Sequence, residues 1–169
     1  MTVIGGRWFT PARPIGERCG HAVIVDDGRA RNEWRFEIEE VRDEMAALQK
    51  NRLDPKLSPA EMKDYWQKLM ALLEKARAGR IRIGETWDAD AKVIRDLILE
   101  LRPLLDGNRI VFNRRPRKLR LYYGEPNTQP SCLLALHLDT KEADEAGKDE
   151  QNISIAEAVR RAHEWAQAA

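Results

Sequence analysis

The sequence predicts an α+β fold: a small antiparallel sheet packed by an N-terminal helical hairpin and a C-terminal helix. Three observations predict it. Apolar residues recur at helical spacing over 38–48 and again over 62–76, two stretches joined by a short loop. Short runs rich in β-branched, aromatic and leucine residues, Arg109 to Asn113, Lys118 to Tyr123 and Cys132 to Leu138, are separated by Arg/Pro and Gly/Pro/Asn punctuation. A last helical pattern of Ile155, Val159, Ala162 and Trp165 or Ala166 closes the chain. With 169 residues the chain suits one domain large enough to bury a core. The expected division is an irregular arm over 1–21 followed by a single domain over 22–169.

Taken in order, Met1 to Gly20 is rich in Gly and Pro and shows no periodicity. Ala22 to Val25, the turn-like Asp26-Asp27-Gly28 and Trp34 to Ile38 predict a hairpin, or a strand leading into a helix. The first helix is expected over Glu39 to Lys50, with Ile38, Val41, Met45 and Leu48 inward and Glu39, Glu40, Arg42, Asp43 and Glu44 on its wet faces. Pro55 closes that segment. The second helix starts where Ser58 can cap, Pro59 suits the first turn and Glu61 completes a capping box. Its stripe is Met62, Trp66, Leu69, Leu73 and Ala76, and Gly79 ends it.

Asp88 to Leu105 fits two patterns. Ile94, Leu97, Ile98, Leu101 and Leu105 suit a helix, whereas Leu97, Leu99 and Leu101 alternate as a strand would; helix is the expectation. Asp139 to Asn152, made of acids, Lys, Gly and Ala, reads as a mobile loop. Ser154 and Glu157 form a second capping box, expected to open the last helix.

The 29 basic and 28 acidic side chains nearly cancel, yet they are unevenly placed. Between Arg109 and Tyr123 stand six basic residues, Arg109, Arg114, Arg115, Arg117, Lys118 and Arg120, with Phe112, Tyr122 and Tyr123 interleaved and no acid. A cationic sheet carrying aromatics suits RNA. Tyr122 and Tyr123 point to opposite faces, so only one could stack on a base. The two cysteines, Cys19 and Cys132, lie far apart with no C-x-x-C or His spacing, which suggests neither a zinc site nor a disulfide framework and fits a cytoplasmic protein. Phosphate-loop, dinucleotide-loop and H-E-x-x-H patterns are missing, and carboxylates form no metal-like cluster, so no metal or cofactor is expected. Arg7, Pro11, Arg13 and Pro14 break every apolar run near the N-terminus, leaving neither a signal peptide nor a membrane span in that stretch.

Leu119-Arg120-Leu121-Tyr122-Tyr123-Gly124, then Leu133-Leu134-Ala135-Leu136-His137-Leu138-Asp139-Thr140-Lys141, then Ile153 to Arg161 resembles the C-terminal half of RelE/HigB-like toxins of type II toxin–antitoxin systems. Glu100-Leu101-Arg102 looks like the strand that precedes them in that family. The resemblance implies a RelE-like fold and a cytoplasmic endoribonuclease that cuts mRNA without a metal, commonly on the ribosome, and inhibits translation. It also implies a cognate antitoxin protein as partner.

Cleavage by the RNA's own 2′-hydroxyl needs a base, a cation for the phosphorane and an acid for the leaving oxygen. Carried over, Arg102, Arg120 and Lys141 are the catalytic candidates, joined by His163 near the end of the chain. Arg109, Arg114, Arg115, Arg117, Lys118 and Tyr122 are the RNA-binding candidates. His137, in an apolar strand, reads as a core histidine. The alternative is a non-catalytic nucleic-acid- or protein-binding module of phage or mobile-element origin, in which the same cations only position phosphates.

Overall fold

The computed structural model describes residues 2–4, 7–9, 32–95, 98–105, 117–126, 132–143 and 146–168. Strands β1 (Thr2–Ile4) and β2 (Arg7–Phe9) pair antiparallel, so part of the segment expected to be an irregular arm is a short ladder. The α+β body follows in the order β3 (Glu33–Arg35), α1 (Glu39–Gln49), α2 (Pro59–Arg77), β4 (Ala91–Arg95), β5 (Ile98–Leu101), β6 (Arg117–Gly124), β7 (Cys132–Glu142) and α3 (Ala146–Gln167). The expected strand Arg109 to Asn113 and the Ala22 to Gly28 part of the expected hairpin lie outside the described residues, while Trp34 to Ile38 overlaps β3 and leads into α1, β3 pairing with β7.

The sheet has the strand order β3-β7-β6-β5-β4. Strands β4 to β7 pair antiparallel, whereas β3 runs parallel to β7 with Trp34 opposite Leu133. The sheet is therefore mixed rather than purely antiparallel. Parallel pairing needs a long crossover, and the two helices and three strands between β3 and β7 supply it.

The start of α2 is the one the sequence predicts. Ser58 Oγ accepts from the Glu61 amide at 3.1 Å and the Glu61 carboxylate accepts from the Ser58 amide at 3.0 Å, with Pro59 in the first turn. Gly79, at a φ of 70°, ends the helix in the left-handed region. Asn32 donates to the Ala76 carbonyl from its side chain (2.8 Å) and to the Arg77 carbonyl from its backbone (3.0 Å), which pairs two carbonyls at that end. Trp34 donates to the Leu73 carbonyl at 2.9 Å and packs edge-on against Tyr123, so β3 is pinned between α2 and the sheet.

Two expectations give way to tertiary structure. The 88–105 segment forms β4 and β5 rather than a helix. Ile98, Leu99, Glu100 and Leu101 are all buried, and a strand covered on both faces has no alternation to distinguish it from a helix. The expected mobile loop over 139–152 is also replaced: β7 runs to Glu142 and α3 begins at Ala146. The handover is tight, because a Cβ at Gly147 would sit 1.8 Å from the Glu142 carbonyl oxygen. Glu150 accepts from the Glu142 amide at 2.9 Å and from Arg117. Ser154 is consequently inside the helix, donating to Asp139 at 3.2 Å instead of capping.

The helices are knotted to β7 through Glu44 of α1, a residue expected on the wet face. Its carboxylate accepts from Arg161 of α3 (2.7 and 2.9 Å) and from the Leu138 amide (3.1 Å), and it contacts His137 Nδ1 at 2.9 Å. Arg161 also donates to the Leu136 carbonyl at 2.9 Å. These groups satisfy the stretch of β7 beyond its pairing with β3. Burial pushes the Glu44 carboxyl up, but the contacts with His137 and Arg161 outweigh it and hold the group below its ordinary value. Burial likewise opposes the charged His137 ring, and Asp139 (3.7 Å) and Glu44 outweigh it and raise the pKa above 6.5.

Glu44→Ala leaves a buried guanidinium short of its partner and is expected to lower unfolding free energy by about 3 kcal/mol in urea titrations. Because the folded pKa of His137 is raised, its contribution is complete below about pH 6.5 and is lost as pH rises through the higher folded value. The contributions of Glu44 and Asp139, whose folded values are lowered, are present above their ordinary 4.5 and 3.8 and are lost as pH falls further. Denaturation midpoints measured against pH should therefore decline above about pH 6.5 in the wild type, and His137→Gln should remove that part of the decline.

Candidate nucleic-acid interface

The strand registers sort the basic residues by face. Lys118 stands opposite Lys141, Arg120 opposite Asp139 and Tyr122 opposite His137 on β6 and β7, while Glu100 of β5 stands opposite Tyr122. Directly opposed residues share a face, so these side chains form one polar face. Leu119, Leu121, Leu138, Leu99 and Leu101 form the apolar one. Each fully buried leucine contributes about 2 kcal/mol by leaving water. That apolar packing is what fixes the register, and the register sets the polar face.

At the centre of the polar face is Glu100, only 2 % exposed. Arg120 Nε lies 3.1 Å from its carboxylate and Arg102 Nε 3.8 Å. Gln151 of α3 donates to Glu100 and accepts from the Lys141 ammonium at 2.8 Å, linking the second lysine to the same carboxylate. The charges acting most strongly on Lys141 are Glu100, Arg120, Lys118 and Arg102, three cations against one carboxylate. Burial, reinforced by those cations, pushes Lys141 down to about 8. Lys118 is lowered for the same reasons, burial first and then Arg120 and Arg102.

A cleft of about 250 Å³ opens at one end of this face. Arg102, Arg117, Lys118 and Arg120 line it together with Tyr65, Trp87, Pro103, Leu104, Leu105 and Ala143, so its described wall carries cations and no carboxylate. Lys118 is half-buried and makes no hydrogen bond or ion pair among the described residues. Burial raises the Tyr65 phenol to about 12, and its hydroxyl donates to the Arg117 carbonyl. An ammonium with no partner and no neighbouring wall carboxylate among the described residues is suited to an anion.

The structure treats the predicted residues unequally. Arg102, Arg120 and Lys141 converge on Glu100, and Lys118, predicted only to grip phosphate, stands beside them. Arg120 lines the cleft but is only 3 % exposed and lies 3.1 Å from Glu100, so its charge is already paired. Arg117 is buried, donating to the Thr140 hydroxyl at 2.9 Å, the Thr140 carbonyl at 3.2 Å and Glu150; it clamps α3 to the sheet. Tyr122 is 1 % exposed, stacked on His137 and held far above the ordinary phenol range by burial and Glu100, which rules it out as a surface for a base.

His163 is exposed on α3, twelve residues beyond Gln151. At about 1.5 Å per residue that is roughly 18 Å from the lysine cluster. It does not join the candidate site. Arg109, Arg114 and Arg115 lie outside the described residues. Sequence reasoning missed Trp87, Gln151 and the role of Glu100. A lone acid on an otherwise apolar strand is the one signal that could have marked Glu100.

No protein-family model, curated protein or solved structure matches the chain at a significant level. Among the described residues no group of three or more His, Cys, Asp or Glu is placed to hold a metal ion, and no helix is long and apolar enough to cross a membrane.

Removing one partner of the buried pair should cost more than removing both. Glu100→Leu is expected to destabilise by about 3 to 5 kcal/mol, and adding Arg120→Leu to restore most of that loss, as read from urea midpoints of the single and double variants.

Proposed function

We propose that this protein is a metal-independent endoribonuclease whose cationic cleft grips the RNA backbone, with the RelE-like organisation and toxin role that the sequence resemblance implies. The observation that supports it most is the pair of facing lysines, Lys118 and Lys141, both lowered in pKa and surrounded by two arginines and a single carboxylate. Lys118, on the cleft wall, takes or gives the proton. Arg102, on the cleft wall, meets the charge that develops on the phosphorane. Lys141 stands across the ladder as the second amine. An amine near pH 8 is populated in both states at cytoplasmic pH, which general acid–base catalysis requires. Arg120 and Glu100 are positioning residues that hold the field behind these groups. On this reading the protein acts in the cytoplasm on messenger RNA, at the ribosome, and a cognate antitoxin silences it by covering the cleft.

A second reading, a module that binds nucleic acid without cutting it, draws on the same cationic cleft and on the neutralisation of Arg117 and Arg120 by Glu150 and Glu100. In that case the cations only position phosphates. Turnover separates the two.

Purified protein in EDTA should cut messenger RNA, alone or with ribosomes, and its induced expression should arrest growth. Lys118→Ala should slow cleavage by about a hundredfold while changing affinity far less. The cleavage rate should rise through about pH 8 as Lys141 loses its proton, and Lys141→Gln should flatten that limb. Wild-type protein that binds RNA with steep salt dependence yet never cuts it leaves the binding module as the function.

A further inference from the structure

Trp87 is 75 % exposed, although burial of so large an apolar side chain is strongly favoured. It stands on the rim of the cationic cleft beside Leu104, itself 41 % exposed. The turn that carries it is braced from several sides. Thr86, immediately before it, accepts at its carbonyl from Arg102 (3.3 Å) and from the Ala89 amide (3.1 Å). Asp88, immediately after it, accepts at its carbonyl from Arg82 at 2.9 Å. Asp90 then takes the Lys75 ammonium at 2.6 Å and the Arg82 amide at 2.9 Å. Trp87 is thus held out on a tied-down turn rather than left on a loose one, and a cation of the cleft wall makes one of the ties.

We propose that Trp87 is a stacking platform for an unpaired base, so that the ligand of the cleft is single-stranded rather than duplex RNA. The proposal rests on the RNA-binding reading of the cleft and adds to it the strand state of the substrate. A nucleotide joins a flat apolar ring to a phosphate within one unit, and this cleft brings a flat indole and Leu104 together with Lys118 and Arg102. Every base has a π-face, so stacking is tolerant of sequence, whereas in a duplex those faces are covered by neighbouring bases. An acidic peptide would satisfy the cations but leave the indole without a matching surface.

The test is a fluorescence-anisotropy titration of the full-length protein with a short labelled single-stranded RNA and with a duplex of the same composition. Trp87→Ala is expected to weaken single-strand binding about tenfold, to leave duplex binding within about twofold, and to melt at the wild-type temperature because its side chain is mostly in solvent. Trp87→Phe, which keeps a π-face, should retain most of the affinity and guards against a folding defect in the alanine variant. Equal losses on both RNAs, no loss on either, or displacement of the RNA by polyglutamate as readily as by unlabelled RNA each overturn the proposal. Binding that responds to Lys118→Ala but not to Trp87→Ala removes the stacking platform and leaves the RNA reading standing. Absence of any RNA binding by the wild type removes both.

Discussion

Glu100 is a carboxylate enclosed by Arg120, Arg102, Tyr122 and, through Gln151, Lys141. A charge this deeply placed is tolerated only when paired and hydrogen-bonded. Its presence in the middle of β5 obliges the surrounding strands to deliver cations to one face. Four cations, Arg102, Lys118, Arg120 and Lys141, surround it, and Arg102, Lys118 and Arg120 also line the cleft under Trp87. The field at the candidate site is therefore set by what is buried behind it as much as by what lines it.

The same logic recurs at Glu44, where a helix carboxylate gathers His137, Arg161 and the Leu138 amide. The two acids divide the labour along β7. Glu44 docks α1 and α3 against its outer edge, and Glu100 gathers the polar side chains that face the N-terminal part of α3. With Arg117 clamped to Glu150, α3 is attached to the sheet by ionic and hydrogen-bonded contacts at its start as well as by Ile155, Ala158, Ala162 and Trp165 along its length. Such contacts demand alignment, since a misplaced buried charge costs more than a misplaced methyl group. They make the relative placement of helix and sheet specific, and with it the placement of Lys141.

The arrangement also explains why a count of basic residues overstates the gripping surface. Arg117 and Arg120 are consumed by internal partners, and the half-buried Lys118 keeps its charge available. Arg102 lies between these cases, close to Glu100 yet on the cleft wall and bonded to the turn of Trp87. The aromatic contribution moves in the same way. Tyr122, within the basic run, is sealed in the core, while Trp87, outside that run and twenty residues or more away in sequence, reaches solvent beside the cations.

What the sequence determined by itself was local. The capping box at Ser58 and Glu61, the stop at Gly79 and the β character of the Lys118 and Cys132 runs depend on neighbours a few residues apart, and the structure contains them; the stripe of α2 is met at Leu69, Leu73 and Ala76, while Tyr65 is buried and Met62 and Trp66 are only partly so. What only the tertiary structure decided was everything that depends on distant partners. Strand pairing made β4 and β5 out of a segment with an equally good helical pattern, because a strand buried on both faces shows no alternation. Anchoring by Glu142 and Arg117 turned a polar stretch into the first turns of α3. That Arg117 and Arg120 are spent was settled by Glu150 and Glu100, twenty or more residues away along the chain, an electrostatic pairing across the fold that no spacing rule can report.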